Sequence, residues 1–172
     1  MRDLLRPALE RERLTDLDAE ELRRRGIEAL ILDLDNTLLP WGSRTVDGDT
    51  LAWIGRIRRA GLKICVLTNG HGPRARSVCE MVGVMCIWSA GKPFPGGFRR
   101  AQGRLQVPRE RCAVVGDQLF TDILGGNAAG FFTVLVSPLS AREMAWTRFV
   151  RHAERALLKR KIVYKTEENR DE

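Results

Sequence analysis

Seven side chains have types and spacings suited to chemistry: Asp33, Asp35, Thr68, Asn69, Lys92, Asp117 and Asp122. Asp33 and Asp35 close the apolar run in "LILDLDNTLLPW", residues 30–41. A strand entering a core has no use for two carboxylates about 6–7 Å apart, the repeat of alternate strand residues, unless they bind a cation or do a job. With Asp117 and Asp122 they offer only oxygen donors, and no paired histidines or cysteines accompany them, so the set suits magnesium over zinc. Magnesium prefers phosphate oxygens as partners. Thr68, Lys92 and backbone N–H groups at helix starts are the donors a phosphate needs. Singly, these residues have plainer readings: Asp35-Asn36-Thr37 as a polar turn, Asp117 as a helix cap, His71 as an ordinary loop histidine. Their joint placement favours chemistry.

That placement comes from the elements around them. Short apolar or β-branched runs at 29–34, 63–67, 84–87, 112–116 and 132–136 read as strands, and 49–60, 73–82, 95–105 and 119–129 read as helices between them. Alternation of this kind predicts an α/β fold with a parallel sheet of five strands or slightly more between helical layers. The candidate groups end a strand or follow one, and ligands of open parallel sheets bind outside the carboxyl ends of the strands. Residues spread over about 90 positions can thus converge on one crevice. An early helix ending near Arg25 has Asp16 or Asp18 as its cap and Gly26 as its stop. Gly125, Gly126 and Asn127 read as a tight turn or helix break.

Composition narrows the class. A chain of 172 residues with 44% apolar side chains can bury one ordinary core. Its apolar runs fall far short of the roughly 20 residues that span a bilayer. The opening "MRDLLRPALERERL" lacks an uninterrupted apolar stretch and a cleavage site, so a cytoplasmic location is expected. Cys65, Cys79, Cys86 and Cys112 form no CxxC pair and read as small hydrophobes in a reducing compartment. The net charge of +7 is concentrated in residues 141–165, which hold eight basic and two acidic side chains. An anionic partner is implied, whether phosphate ester, nucleic acid or anionic lipid.

Four segments carry a family resemblance. "ILDLDNT" resembles the first motif, hhhDxDxT, of the haloacid dehalogenase-like phosphohydrolases; "VLTNG" resembles the second, "KP" at Lys92 the third and "VVGDQLFTD" the fourth, GDxxxxD. The resemblance implies a three-layer, Rossmann-like fold and a magnesium-dependent phosphatase. Asp33 would be the nucleophile and form an aspartyl-phosphate, and Asp35 would act as general acid and then base. Asp33, Asp117 and the Asp35 carbonyl would hold magnesium, with Asp122 ligating it directly or orienting its waters. Thr68, the Asn69 backbone and Lys92 would bind the phosphoryl group.

Spacing then bears on the substrate. Caps in this superfamily are inserted after the first motif or between the second and third. Thr68 follows Asp35 by 33 positions and only 23 residues separate Thr68 from Lys92, so neither gap holds a cap domain. "GDQLFTD" and the lead-in "LTDLDAEELRRRGIEALILDLD" are similar to the bacterial YqeG-like phosphatases, which are akin to the capless phosphatidylglycerophosphate phosphatases of mitochondria and plastids. This implies hydrolysis of phosphatidylglycerophosphate to phosphatidylglycerol. Alternatives are a soluble phosphatase for a sugar phosphate, a nucleotide or a nucleic-acid end, and a basic nucleic-acid-binding protein with a phosphatase-like domain. The intact Asp33/Asp35 pair argues against the last, so no nucleic-acid partner is expected.

The expected organisation is one phosphatase domain over 1–165, with an N-terminal extension at 1–27, a basic amphipathic helix at 141–163 and a disordered tail at 166–172. On a helical wheel Trp146, Phe149, Val150, Ala153 and Leu157 oppose Arg148, Arg151, Arg155 and Lys159. Such a helix either docks on its own domain or holds the protein at an anionic membrane, peripherally on its inner face.

Overall fold

A computed structural model of the chain describes residues 3–140; the expected helix at 141–163 and the tail at 166–172 lie outside the described residues. Six strands form one parallel sheet: β1 (Leu9–Arg11), β2 (Ala29–Leu32), β3 (Lys63–Leu67), β4 (Met85–Ile87), β5 (Cys112–Gly116) and β6 (Phe132–Val136), in the order β1-β6-β5-β2-β3-β4. β2 is central, with Ala29 opposite both Lys63 and Cys112, and Leu32 opposite both Val66 and Val115. Strands buried on both faces read as continuous apolar runs, and "ALIL" of β2 is buried throughout.

Alternation along each strand divides the core in two. Leu30, Leu32, Ile64, Val66, Ala113 and Val115 face one layer, packed with Leu22 of α1 (Ala19–Arg24), Trp53, Ile54 and Ile57 of α2 (Gly48–Arg59), and Val78 and Cys79 of α3 (Gly72–Val82). Ala29, Ile31, Cys65, Leu67 and Val114 face the other, packed with Phe98, Ala101 and Leu105 of α4 (Pro95–Leu105). The side-chain period of two sends neighbours to opposite faces. The result is the three-layer α/β architecture expected from the strand and helix pattern. Cys65, Cys79 and Cys112 are buried free thiols, and burial pushes Cys65 up to about 12 and Cys112 to about 11. They act as core residues.

Helix starts follow their capping chemistry. Asp18 accepts the Glu21 N–H to begin α1, and Asp47 accepts the Thr50 N–H (2.9 Å) to begin α2. Gly26 follows α1 with φ 77°, the left-handed region that glycine enters freely.

Two segments differ from the sequence pattern. β1, within the expected N-terminal extension, adds an edge strand by pairing Leu9 with Val134; three residues that include Glu10 and Arg11 carry no apolar run to announce it. The expected helix at 119–129 is divided into a wide π-type turn, Leu119–Ile123, and α5 (Leu124–Ala128). The Ile123 N–H reaches back five residues to the Gln118 carbonyl (3.2 Å). The break thus falls before Gly125 and Gly126, which lie inside α5.

The buried indole of Trp53 donates to the Leu17 carbonyl at 2.7 Å and ties the N-terminal segment to α2. Trp53→Phe leaves that carbonyl unsatisfied and should lower stability by about 1–3 kcal/mol, read as a lower urea midpoint at unchanged slope.

Candidate active site

Asp33 lies one residue beyond β2, where its N–H donates to Val115 O (2.9 Å) and continues the strand pairing. Asp117 follows β5 directly, and Thr68 follows β3 with its N–H bonded to Ile87 O (3.0 Å). All three leave the carboxyl edge of the sheet where the chain departs to opposite sides of β2, the place at which parallel sheets open a crevice.

The turn beyond β4 brings Lys92 into this crevice. Its buried ammonium stands 2.5 Å from Asp33 Oδ1 and 2.6 Å from Asp122 Oδ1. The π-type turn carries Asp122 inward, and its other oxygen accepts the Gln118 N–H (3.2 Å). Glycine is required behind it, because a Cβ on Gly116 would overlap the Asp122 carboxylate. On the far side of the lysine turn, a Cβ on Gly125 would stand 2.7 Å from the Phe98 ring and 2.9 Å from Pro93 O. The small residue lets α5 close against the segment that carries Lys92.

Oxygens of Asp33, Asp117 and Asp122 all lie within 4.8 Å of one another, and all three residues are buried. Burial raises the Asp33 carboxyl to about 7; the Lys92 charge opposes this, while Asp122 and Asp35 add to it. Burial also acts against the Lys92 ammonium, but Asp122 and Asp33 outweigh it and hold its pKa above the usual lysine range. Among the described residues, Lys92 is shared between two of these carboxylates. A hard dication fits this oxygen trio.

Thr68 is buried beside these groups, its Oγ1 accepting the Gly70 N–H (3.0 Å). Asn69 contributes in a way its sequence position did not suggest. Its side-chain amide donates to Lys92 O (2.9 Å) and accepts the Lys92 N–H (2.7 Å), a two-way clamp on the lysine backbone. The Asp35 carboxylate is held by Arg74, whose Nη2 lies 2.5 Å from both of its oxygens. Asn36, at φ 63°, ties the following loop to the exit of β6: its Oδ1 accepts from Ser140 Oγ (2.7 Å) and its carbonyl from the Leu139 N–H (3.0 Å). Arg74 and Asn36 were not singled out as site residues from sequence. The segments 36–67 and 69–91 hold only the loop, α2, β3, α3 and β4, so neither carries an inserted domain.

A family model described as haloacid dehalogenase-like hydrolase matches residues 8–130. The chain belongs to that family. This hydrolase is 36% identical over 139 residues to a Bacillus subtilis protein described as the probable phosphatase YqeG, covering 81% of each chain. It is 31% identical over 169 residues to the chloroplastic and mitochondrial phosphatidylglycerophosphate phosphatase 1 of Arabidopsis thaliana, covering 92% of this chain but 49% of that protein. Among solved structures, an uncharacterized protein from Listeria monocytogenes serotype 4b superposes with a TM-score of 0.55 at 16% identity, over 69% of this chain and 85% of the other; that likeness concerns the fold alone. The hydrolase is a phosphoric monoester hydrolase.

The clamp gives a direct expectation. Asn69→Ala frees the Lys92 backbone at both ends and should lower turnover of an aryl phosphate by roughly 10²-fold, since displacement of about 1 Å costs that much in a positioned site. Single-turnover rates beside a thermal melt will separate this from unfolding.

Proposed function

We propose that this hydrolase cleaves a phosphate monoester with magnesium, through an aspartyl-phosphate on Asp33, and that its substrate is phosphatidylglycerophosphate. The observation that carries the chemistry is the buried trio of Asp33, Asp117 and Asp122 with Lys92 bridging two of its members. Bound there by the trio and the Asp35 carbonyl, magnesium would neutralise charge on the transferring phosphoryl group.

The steps belong to the chain's own residues. An Asp33 oxygen attacks phosphorus as the bond to the leaving oxygen breaks, and Asp35 gives that oxygen its proton. Asp35 then takes a proton from water, which attacks phosphorus, releases phosphate and restores the Asp33 carboxylate. Thr68 and Lys92 hold the phosphoryl oxygens through both steps, so the barrier falls by positioning and charge stabilisation.

The substrate reading is supported by the absence of an inserted domain between Asp35 and Lys92, which leaves room for a phosphate carried on something large, and by the named activity of the plant relative. No helix among the described residues is long and apolar enough to cross a membrane. Attachment would be peripheral, at a cytoplasmic face, through the basic residues of 141–165.

Asp33→Asn should lower phosphate release by at least about 10³-fold with the circular dichroism spectrum unchanged, the scale seen when a nucleophile is removed; retained turnover would remove Asp33 from its role. For the substrate, phosphate release is compared across the lipid phosphate in mixed micelles, sugar phosphates and phosphorylated oligonucleotides, with magnesium and with a chelator. The lipid should be preferred and the chelator should abolish release. Preference for a soluble ester would overturn the lipid assignment.

A further inference from the structure

Arg74 occupies a position that the hydrolytic steps leave unexplained. It is the third residue of α3, a helix that begins without a side-chain cap and without an acid in its first turn. The start of a helix carries partial positive charge, so a cation there is placed against the local field. The guanidinium is held instead by the Asp35 carboxylate, at 2.5 Å from each oxygen, and by Ser43 O at 2.7 Å. Asp35 Oδ1 also accepts the Gly42 N–H at 3.3 Å. Both side chains remain partly open to solvent, 23% for Arg74 and 16% for Asp35.

This arrangement conflicts with the proposed task of Asp35. A carboxylate with both oxygens engaged by one guanidinium nitrogen cannot present a proton to a leaving oxygen, so Nη2 must release at least one of them. Only Nη2 holds both carboxylate oxygens, while Nη1 is on Ser43 O, so another oxyanion able to take a guanidinium's paired N–H groups competes for that nitrogen. The leaving alcohol lies on the Asp35 side of the phosphoryl group. A second anionic group a few bonds along that alcohol would therefore meet Arg74.

We propose that Arg74 is a specificity residue that binds a second oxyanion, a phosphodiester or a carboxylate, on the leaving side of the substrate and in doing so frees Asp35. The inference rests on the assignment of Asp35 as the acid and base. It explains why a cation is tolerated at the start of α3, and why it stands at the partly open rim rather than among the buried groups. Lys92 and the trio take the phosphoryl group that is transferred; Arg74 takes the anion that leaves.

The test uses the full chain and three substrates: short-chain phosphatidylglycerophosphate in mixed micelles, its deacylated water-soluble counterpart with the same phosphodiester, and an aryl phosphate with no second anion. In the wild type, kcat/KM should favour both diester-bearing compounds over the aryl phosphate. In Arg74→Gln that ratio should fall by about tenfold or more, mostly through KM, and Arg74→Lys, which keeps the charge without the fork, should lie between. Thermal melts confirm folding, and Arg74→Lys alone supplies the comparison if the glutamine variant does not fold. Equal losses on all three substrates would reduce Arg74 to an anchor for Asp35 and overturn the inference. So would a wild type with no preference for either diester. A wild type that favours the soluble diester but leaves the lipid untouched would refute the lipid substrate while sustaining the role of Arg74.

Discussion

An ammonium buried between two carboxylates is the contact on which the rest of this structure depends. Taking Lys92, Asp33 and Asp122 out of water costs several kcal/mol per charge, and only close mutual pairing repays it. The surrounding fold is organised to keep that pairing tight. Asn69 holds the lysine backbone from one side, and α5 closes on Pro93 and Phe98 from the other through Gly125. Asp122 reaches inward because its helix begins with a wide turn and because Gly116 leaves room for its carboxylate. Within this pairing, burial raises the Asp33 carboxyl even against the Lys92 charge. The oxygens of Asp33, Asp117 and Asp122 lie close enough together for one hard dication to fit among them.

Much of this was legible in the chain itself. Strands buried on both faces announce themselves as apolar runs, and all five expected strands begin within one residue of the position foreseen while four of them end on it. The polar groups after β2, β3 and β5 were readable because strand ends need no carboxylates for packing. Lys92 and Asp122 follow β4 and β5 at short distance, and a parallel sheet sends all its strand ends to one edge. What could not be read were side chains acting across distance without a local pattern. Asn69 meets Lys92 across 23 positions, Arg74 meets Asp35 across 39, and Asn36 meets Ser140 across 104. The motif marked Asn69 for its backbone and not for this side-chain clamp, and nothing in the neighbourhoods of Arg74 and Asn36 announces their contacts. β1 escaped for a related reason: an edge strand of three residues draws its stability from β6, not from its own composition.

The lack of an inserted domain gives the loops at the carboxyl edge a larger share of the work. In the segment after Asp35 the backbone is held by Arg74 at Ser43, by Asn36 at Trp41 and by the contacts of Asn36 with Leu139 and Ser140. These bonds fix the wall of an open crevice, a task that elsewhere falls to a lid. On the reading proposed here, recognition rests on Arg74 at the rim and on whatever surface presents the substrate.

The pairing of the first strand with the last has a consequence for how the protein comes into being. β1 leaves the ribosome more than a hundred residues before β6, and its partner does not yet exist; the Leu4 and Arg6 carbonyls likewise wait for the amide of Asn127. The loop beside Asp35 is anchored by Leu139 and Ser140, later still. During synthesis the central strands can assemble early, yet the wall of the crevice closes only when the end of the sheet arrives. The wall is thereby completed only after residues 132–140 have been made, so that a chain interrupted before them holds Asp33 and Asp35 without the frame that surrounds them.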